Sequence, residues 1–299
     1  MSSPATAGLS VFCAKPVGVR VLEILTGRNV PVTCVIASDG EAIEQLEAAA
    51  NDLGATFIVD PDFSGNDFLQ TLQAGTPAAA LCVSYPKRIP MTVLDMHVRG
   101  AFNLHPARLP TYRGCFPTVW PILNGDETAD YTLHEMTAGF DEGPVVDRQT
   151  VAIDENDTGW SLYLRLVDNL PALLERNIDA ILAGKAMSTP QDDSAAAYYP
   201  NALPNGGRID WTWTAEHVAR FVRALWHPRF PCATAEIGGE TFETLSAQPE
   251  AGTTTDPDLP GVACRDGIVR LSAVRYNGQV LNFAGGDPVP AFLHSGAAA

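Results

Sequence analysis

Basic residues are scarce in this chain. Nineteen Lys and Arg stand against 35 Asp and Glu among 299 residues, a formal net charge of -16. A field of that sign repels phosphate backbones, and no stretch gathers the bases into a patch that reverses it locally, which argues against a nucleic-acid partner. Long apolar runs are also missing. None approaches about 18 residues, so no membrane-spanning helix is expected. The opening MSSPATAGLS has no basic segment ahead of an apolar one, which leaves secretion without support. The six cysteines, Cys13, Cys34, Cys82, Cys115, Cys232 and Cys264, form no CxxC pair, so buried reduced thiols in a cytoplasmic protein are expected. His97, His217, His227 and His294 make no HExxH spacing, and no metal site is expected. AKPVGVR lacks the three glycines of a dinucleotide fingerprint, which argues against a nicotinamide or flavin cofactor.

Apolar residues are plentiful, at 46%, enough for one large core and a smaller one, so two domains are the expectation. Residues 9–14, 32–37, 56–59, 78–83 and 100–104 read as strands. Helical spacing fills 17–25, 40–53, 68–72 and 92–96. Strands apolar on both faces and separated by helices predict a mostly parallel sheet covered on each side. Residues 129–135 alternate, with Thr132, His134 and Met136 on one face, and read as a half-covered strand. Thr158 is placed to cap a helix through 174, continued in register over 178–182. The acidic run at 154–157 reads as a solvated turn.

From 187 to 207 the composition turns polar and rich in Ala, Pro, Asn and Gly, the signature of a linker. Thr214 then caps a helix to 226, with Val218, Phe221, Val222 and Leu225 on one face. Short strands at 234–237, 241–245, 261–264, 268–276 and 279–282 predict a small β-barrel of about 80 residues. The tail 294–299 is expected to fray. The resulting division is 1–186, a linker and junction at 187–213, and 214–299.

The chemistry concentrates in FNLHPARLPTYRG (residues 102–114) and TLHEMTAGFDEG (residues 132–143). The carboxyl end of the strand at 100–104 delivers Asn103 and His105, and ligands of open α/β sheets sit at such ends. An imidazole titrates near neutrality and can take a proton from an amine, then return it to a leaving nitrogen. Asn103 shares its strand face and can donate to an oxygen that turns negative. Asp141, between glycines, can orient the imidazole or raise its basicity. Spacing alone leaves other readings open: a His before Pro also serves as a structural residue, an Asp between glycines as a turn residue, and His134, inside a strand, as packing.

NLHPARLPTYRG, followed by the pattern of Gly125, Thr132, His134, Met136, Asp141 and Gly143, resembles the 10-formyltetrahydrofolate-dependent formyltransferases. That group includes the methionyl-tRNA, glycinamide ribonucleotide and amino-sugar nucleotide enzymes. The resemblance implies a Rossmann-like catalytic domain over about the first 185 residues and a small OB-like barrel after the junction GRIDWTWTAEHVARFVRALWHPRFPCATA. It assigns Asn103 to polarising the formyl group, His105 to acid–base work and Asp141 to assisting it. It implies 10-formyltetrahydrofolate as formyl donor, held by Ser84, Tyr85, Lys87, Arg88, Ile89, Pro90 and Leu104 and by Thr137, Ala138, Gly139 and Phe140. Arg113 is available for an anion, and Phe116, Trp120 and Tyr198 or Tyr199 for stacking. The chain departs from the family's HPSLLP with Ala107 and Arg108, and has Asp130 where a Gly is usual.

Among acceptors, the charge argues against tRNA, and the barrel argues against the purine enzyme. A small-molecule amine remains. The favoured acceptor is a nucleotide-linked 4-amino-4,6-dideoxy sugar, with an amino acid or hydroxyornithine-type amine as the alternative. A non-catalytic folate-binding scaffold would have lost His105 or Asp141. A 10-formyltetrahydrofolate hydrolase is expected to carry a regulatory domain, for which little sequence precedes the first strand. A homodimer is compatible with this reading.

Overall fold

Apolar strands alternate with amphipathic helices along the first half of the chain: β1 (Gly8–Cys13), α1 (Lys15–Gly27), β2 (Val32–Ala37), α2 (Ile43–Asp52), β3 (Thr56–Val59), α3 (Asn66–Ala74), β4 (Pro77–Val83), α4 (Met91–Leu94) and β5 (Ala101–His105). After them come β6 (Arg113–Gly114), α5 (Val119–Asn124), β7 (Thr128–Glu135), β8 (Val145–Ala152), α6 (Gly159–Leu182) and β9 (Tyr198–Tyr199). The last part holds α7 (Ala215–Leu225), β10 (Ala233–Ile237), β11 (Glu240–Pro249), β12 (Gly261–Cys264), β13 (Gly267–Tyr276), β14 (Gln279–Asn282) and α8 (Ala291–His294). These elements come from a computed structural model that describes residues 8–228, 230–250 and 256–294. Of the tail expected to fray, His294 closes α8 and the remainder lies outside the described residues.

Seven strands form one sheet in the order β3-β2-β1-β4-β5-β7-β8. The pairs from β3 to β5 are parallel, and β7 runs antiparallel to β5. The fold is therefore the expected Rossmann-like one. Every residue of β1 and β4 is buried, which is why both read as unbroken apolar strings: the two central strands are covered on both faces. One face packs Phe12, Ile36, Phe68, Leu72, Val93 and Leu94 into a common core. Strand order reverses between β1 and β4, and their carboxyl ends mark the switch point where such sheets take ligands.

Several expectations need correction. β7 is buried on both faces, because the loop after β5 lies over the polar one: Thr132 donates to the Ala107 carbonyl, Asp130 takes Arg108, and Asp130, Thr132 and His134 are all buried. β8 escaped the sequence reading since VVDRQTVA sets charges among its apolar residues. α2 starts at Ile43 rather than 40 because Ala42 adopts a left-handed φ of 67°. The run at 154–157 is not merely solvated: Asp157 is 4% exposed and takes the Arg165 guanidinium. α6 passes unbroken through Pro171, with Leu162, Leu166, Leu170, Leu173, Ile178 and Ile181 buried at helical spacing.

The chain forms two compact units. The first takes the residues up to Gly114, then Asp130–Val151 and Leu166–Tyr198. The second takes Cys115–Ala129, Ala152–Arg165 and the residues from Tyr199 onward. In the second unit an antiparallel sheet runs β10-β11-β13-β12, with β14 also on β13. A register shift around Ser246 bends β11, and the curled sheet makes the OB-like half-barrel. Thr214 caps α7 through the His217 amide at 3.2 Å, and Val218, Phe221, Val222 and Leu225 are buried along the face the sequence predicted. Among the described residues no helix is long and apolar enough to cross a membrane.

Candidate active site

Two strands of the first unit meet in a register that sorts the polar side chains. Side chains two apart on a strand share a face, and directly opposed residues of an antiparallel pair do as well. Asn103 of β5 is opposite His134 of β7, and His105 is opposite Thr132. All four therefore share one face at the carboxyl end of β5. The turn after β7 returns Asp141 to them. Asp141 has a φ of 57°, a left-handed conformation that Asp tolerates better than most residues. Gly143 presses so close to the strand end that a Cβ there would lie 1.8 Å from the Glu135 carbonyl oxygen, so only glycine fits.

The Asp141 carboxylate is the centre of the cluster. Its Oδ2 accepts the Gly114 amide at 2.9 Å. Its Oδ1 lies 3.6 Å from His105 Nδ1, 3.5 Å from His134 Nε2 and 3.4 Å from the Asn103 amide nitrogen. Burial pushes this carboxyl upward, but the two imidazoles and the Gly114 amide outweigh it and bring it down to about 2. Burial pulls His105 the other way, below its ordinary value, with Asp141 partly restoring it. At neutral pH the arrangement is an anionic Asp141 beside a neutral His105.

The backbone decides which imidazole nitrogen is free. His105 Nε2 lies 2.9 Å from the Tyr112 carbonyl, which can only accept, so Nε2 carries the proton. The lone pair of neutral His105 then sits on Nδ1, toward Asp141. His134 shows the opposite tautomer: its Nδ1 donates to the Glu135 carbonyl at 2.8 Å, and its Nε2 accepts from Asn103 at 3.1 Å. The cluster thus offers a buried base, an amide donor and a carboxylate able to stabilise a transient imidazolium. His134 is buried, as its place in a strand predicts, but it faces this cluster. The alternation of Thr132, His134 and Met136 was the available signal; the strand register that uses it was not.

The loops expected at the donor site are joined. Arg88 donates to the Ala138 carbonyl, and its guanidinium lies over the Phe140 ring at 5.7 Å. Lys87 pairs with Asp60 at 2.8 Å. Tyr85 is half-buried against Phe12 and Phe63, and its hydroxyl has no hydrogen-bond partner. Ser84 has a φ of 50°, and Pro90 precedes α4 as its N-cap. The side chains of Ile89 and Leu104 are buried. Thr137, Ala138, Gly139 and Phe140 lead directly into Asp141, with Phe140 53% exposed. Of the expected acceptor contacts, Arg113 is only 8% exposed and is tied to Gln191 and Asp193. Phe116 and Trp120 belong to the second unit, where Trp120 lies against Tyr199 with ring centroids 4.1 Å apart.

Residues 22–178 match the protein family described as formyl transferase, and residues 203–283 match that described as formyl transferase, C-terminal domain. The chain is 32% identical over 166 residues to a GDP-perosamine N-formyltransferase of Brucella melitensis biotype 1, a match covering 56% of this chain and 63% of that protein's length. It is similar in fold to the N-formyltransferase from Helicobacter canadensis in complex with folinic acid and dTDP-3-aminofucose, with TM-score 0.67 and 17% identity over 89% of this chain and 99% of that one. It is also similar in fold to a 4-N formyltransferase from Francisella tularensis, with TM-score 0.64 and 20% identity over 78% of this chain and 94% of that one.

Proposed function

The chain belongs to the formyl transferase family, and on that premise we propose that it moves a formyl group from 10-formyltetrahydrofolate to the amine of a nucleotide-linked amino sugar. The observation that carries the reading is the Asn103, His105 and Asp141 cluster, with His105 Nδ1 as the free nitrogen 3.6 Å from Asp141. The half-buried Tyr85, with an aromatic body and an unpartnered hydroxyl, fits the flat polar ring of such a donor.

The donor supplies an activated formyl carbon. The acceptor amine attacks that carbon, and the Asn103 amide donates to the oxygen as it becomes negative. His105 Nδ1 takes the proton that the nitrogen must lose, and Asp141 steadies the resulting imidazolium. The same proton then goes to the departing folate nitrogen as its bond to carbon breaks. The products are the formamide and tetrahydrofolate, and no covalent enzyme intermediate is required.

The acceptor class is supported by relatives whose names specify amino sugars and by the net charge of -16, which opposes an RNA acceptor. We favour a 4-amino-4,6-dideoxy sugar, in keeping with the 4-N formyltransferase likeness. The six cysteines are all free, which suits a cytoplasmic enzyme. The test is incubation with 10-formyltetrahydrofolate and a panel of GDP-, dTDP- and UDP-linked amino sugars, amino acids and tRNA, read by acceptor mass. The expected result is one added formyl group on a nucleotide sugar. Formylation confined to another acceptor, or release of free formate alone, would overturn the proposal.

A further inference from the structure

Asp141 owes its position to a residue of the polar stretch that the sequence reads as a linker. Gln191 Nε2 donates to the Asp141 carbonyl at 2.8 Å and to the Gly143 carbonyl at 2.7 Å, so one amide spans both ends of the catalytic turn. Its Oε1 accepts from Arg113 Nε at 3.1 Å and from the Arg113 terminal nitrogen at 2.9 Å. A guanidinium only donates, so the Gln191 oxygen must face Arg113 and both amide hydrogens must face the turn. Arg113 is buried in turn, and Asp193 balances its charge at 2.8 Å. The next residue along, Gly114, gives its amide to the Asp141 carboxylate. The turn is thus gripped through its side chain and its backbone by groups that meet at Arg113.

We propose that Gln191, aimed by Arg113, is a positioning residue for the transfer reaction, holding the left-handed Asp141 turn so that the carboxylate stays between His105 and His134. This rests on the formyl-transfer reading of the same site. A left-handed Asp is strained and persists only where the surroundings over-determine it. The two carbonyl contacts supply that constraint. The same geometry makes Arg113 a brace for Gln191 rather than a contact for the acceptor's phosphates.

Gln191→Met keeps the length and neutrality of the side chain and removes both donors. In the full-length protein it is expected to lower kcat about 10- to 100-fold, as misplacement of a reacting group does, while KM for donor and acceptor moves less than about threefold. It is also expected to shift the acid limb of the rate profile and the NMR titration of His105 to lower pH, because Asp141 then supports the imidazolium less. Gln191→Glu, which keeps the Arg113 contact and loses the donors, is the second variant should the first not fold. Unchanged kcat with an unchanged His105 titration overturns the proposal. Loss of folding in both variants also overturns it, since Gln191 would then be a residue of the fold. Should the wild type transfer no formyl group, the formyl-transfer reading falls, and the His105 titration alone decides whether Gln191 positions Asp141.

Discussion

The carbonyl oxygen of Tyr112 accepts the Nε2 proton of His105 at 2.9 Å, leaving Nδ1 as the nitrogen that titrates. Six residues separate the two in sequence, and the intervening PARLPT loop places them face to face. The tautomer is therefore a property of the backbone path. Arg148 donates to the Leu109 carbonyl of this loop at 2.6 Å, and Thr132 donates to its Ala107 carbonyl at 2.6 Å.

Removing the base should cost the proton transfer and little else. His105→Ala is expected to lower kcat by about 10²- to 10⁴-fold with donor binding retained. Asn103→Ala should cost about 10²- to 10³-fold in kcat by taking away an oxyanion donor. Acceptor mass and donor affinity, measured on the same preparations, check both.

The pH dependence has a definite sign. In the proposed mechanism neutral His105 is the active form, and burial sets it below the ordinary 6.5, so activity should hold through pH 6.5 and fall on further acidification. Asp141→Asn removes the charge that raises His105, so the acid limb should move to lower pH while the plateau rate drops. A rate profile of the two proteins decides it; an acid limb moving upward would contradict the arrangement.

Asp141 also links the site to acid stability. Its carboxyl falls from 3.8 to about 2 on folding. A carboxyl lowered by folding contributes stability above its unfolded value and loses it as pH falls toward the folded one. The stability gap between wild type and Asp141→Asn should therefore narrow between pH 3.8 and about 2, as followed by denaturant unfolding.

Gly143→Ala should destabilise by more than about 2 kcal/mol, since its Cβ would lie 1.8 Å from the Glu135 carbonyl oxygen. Gly206→Ala is the control: its Cβ meets nothing, but its φ of 61° makes alanine cost about 1 to 2 kcal/mol. Denaturant midpoints of the two variants give the comparison.

Arg108 tests the departure at HPARLP. It pairs at 2.9 Å with Asp130, which is 3% exposed and has one buried carboxylate oxygen without a partner. Arg108→Ala strands that charge. The expected loss is about 1 to 3 kcal/mol, below the fully buried case because Arg108 is itself 39% exposed. Adding Asp130→Leu to an Arg108→Met background should recover most of it.

The proposed catalytic residues stand out in the sequence because each is a chemical type at a strand end or in a glycine-flanked turn, and local spacing records such places. Asn103 and His105 sit two apart on a strand, so their shared face follows from the backbone alone. His134 was not legible. Its role depends on being opposite Asn103 across an antiparallel pair, and no local pattern encodes that register. Gln191 was still further out of reach, since a glutamine in a Pro- and Ala-rich stretch looks like any linker residue until the fold brings it to Asp141.

The sequence by itself determined the alternation of apolar strands and helices, the small second barrel, the net negative charge, and the residue types able to run an acyl transfer, because these depend on side-chain chemistry and short-range periodicity. Tertiary structure alone decided which imidazole nitrogen is free, which strand residues face each other, and what holds Asp141 in its left-handed turn. Those depend on hydrogen bonds between residues far apart in the chain, whose geometry exists only after the backbone has folded.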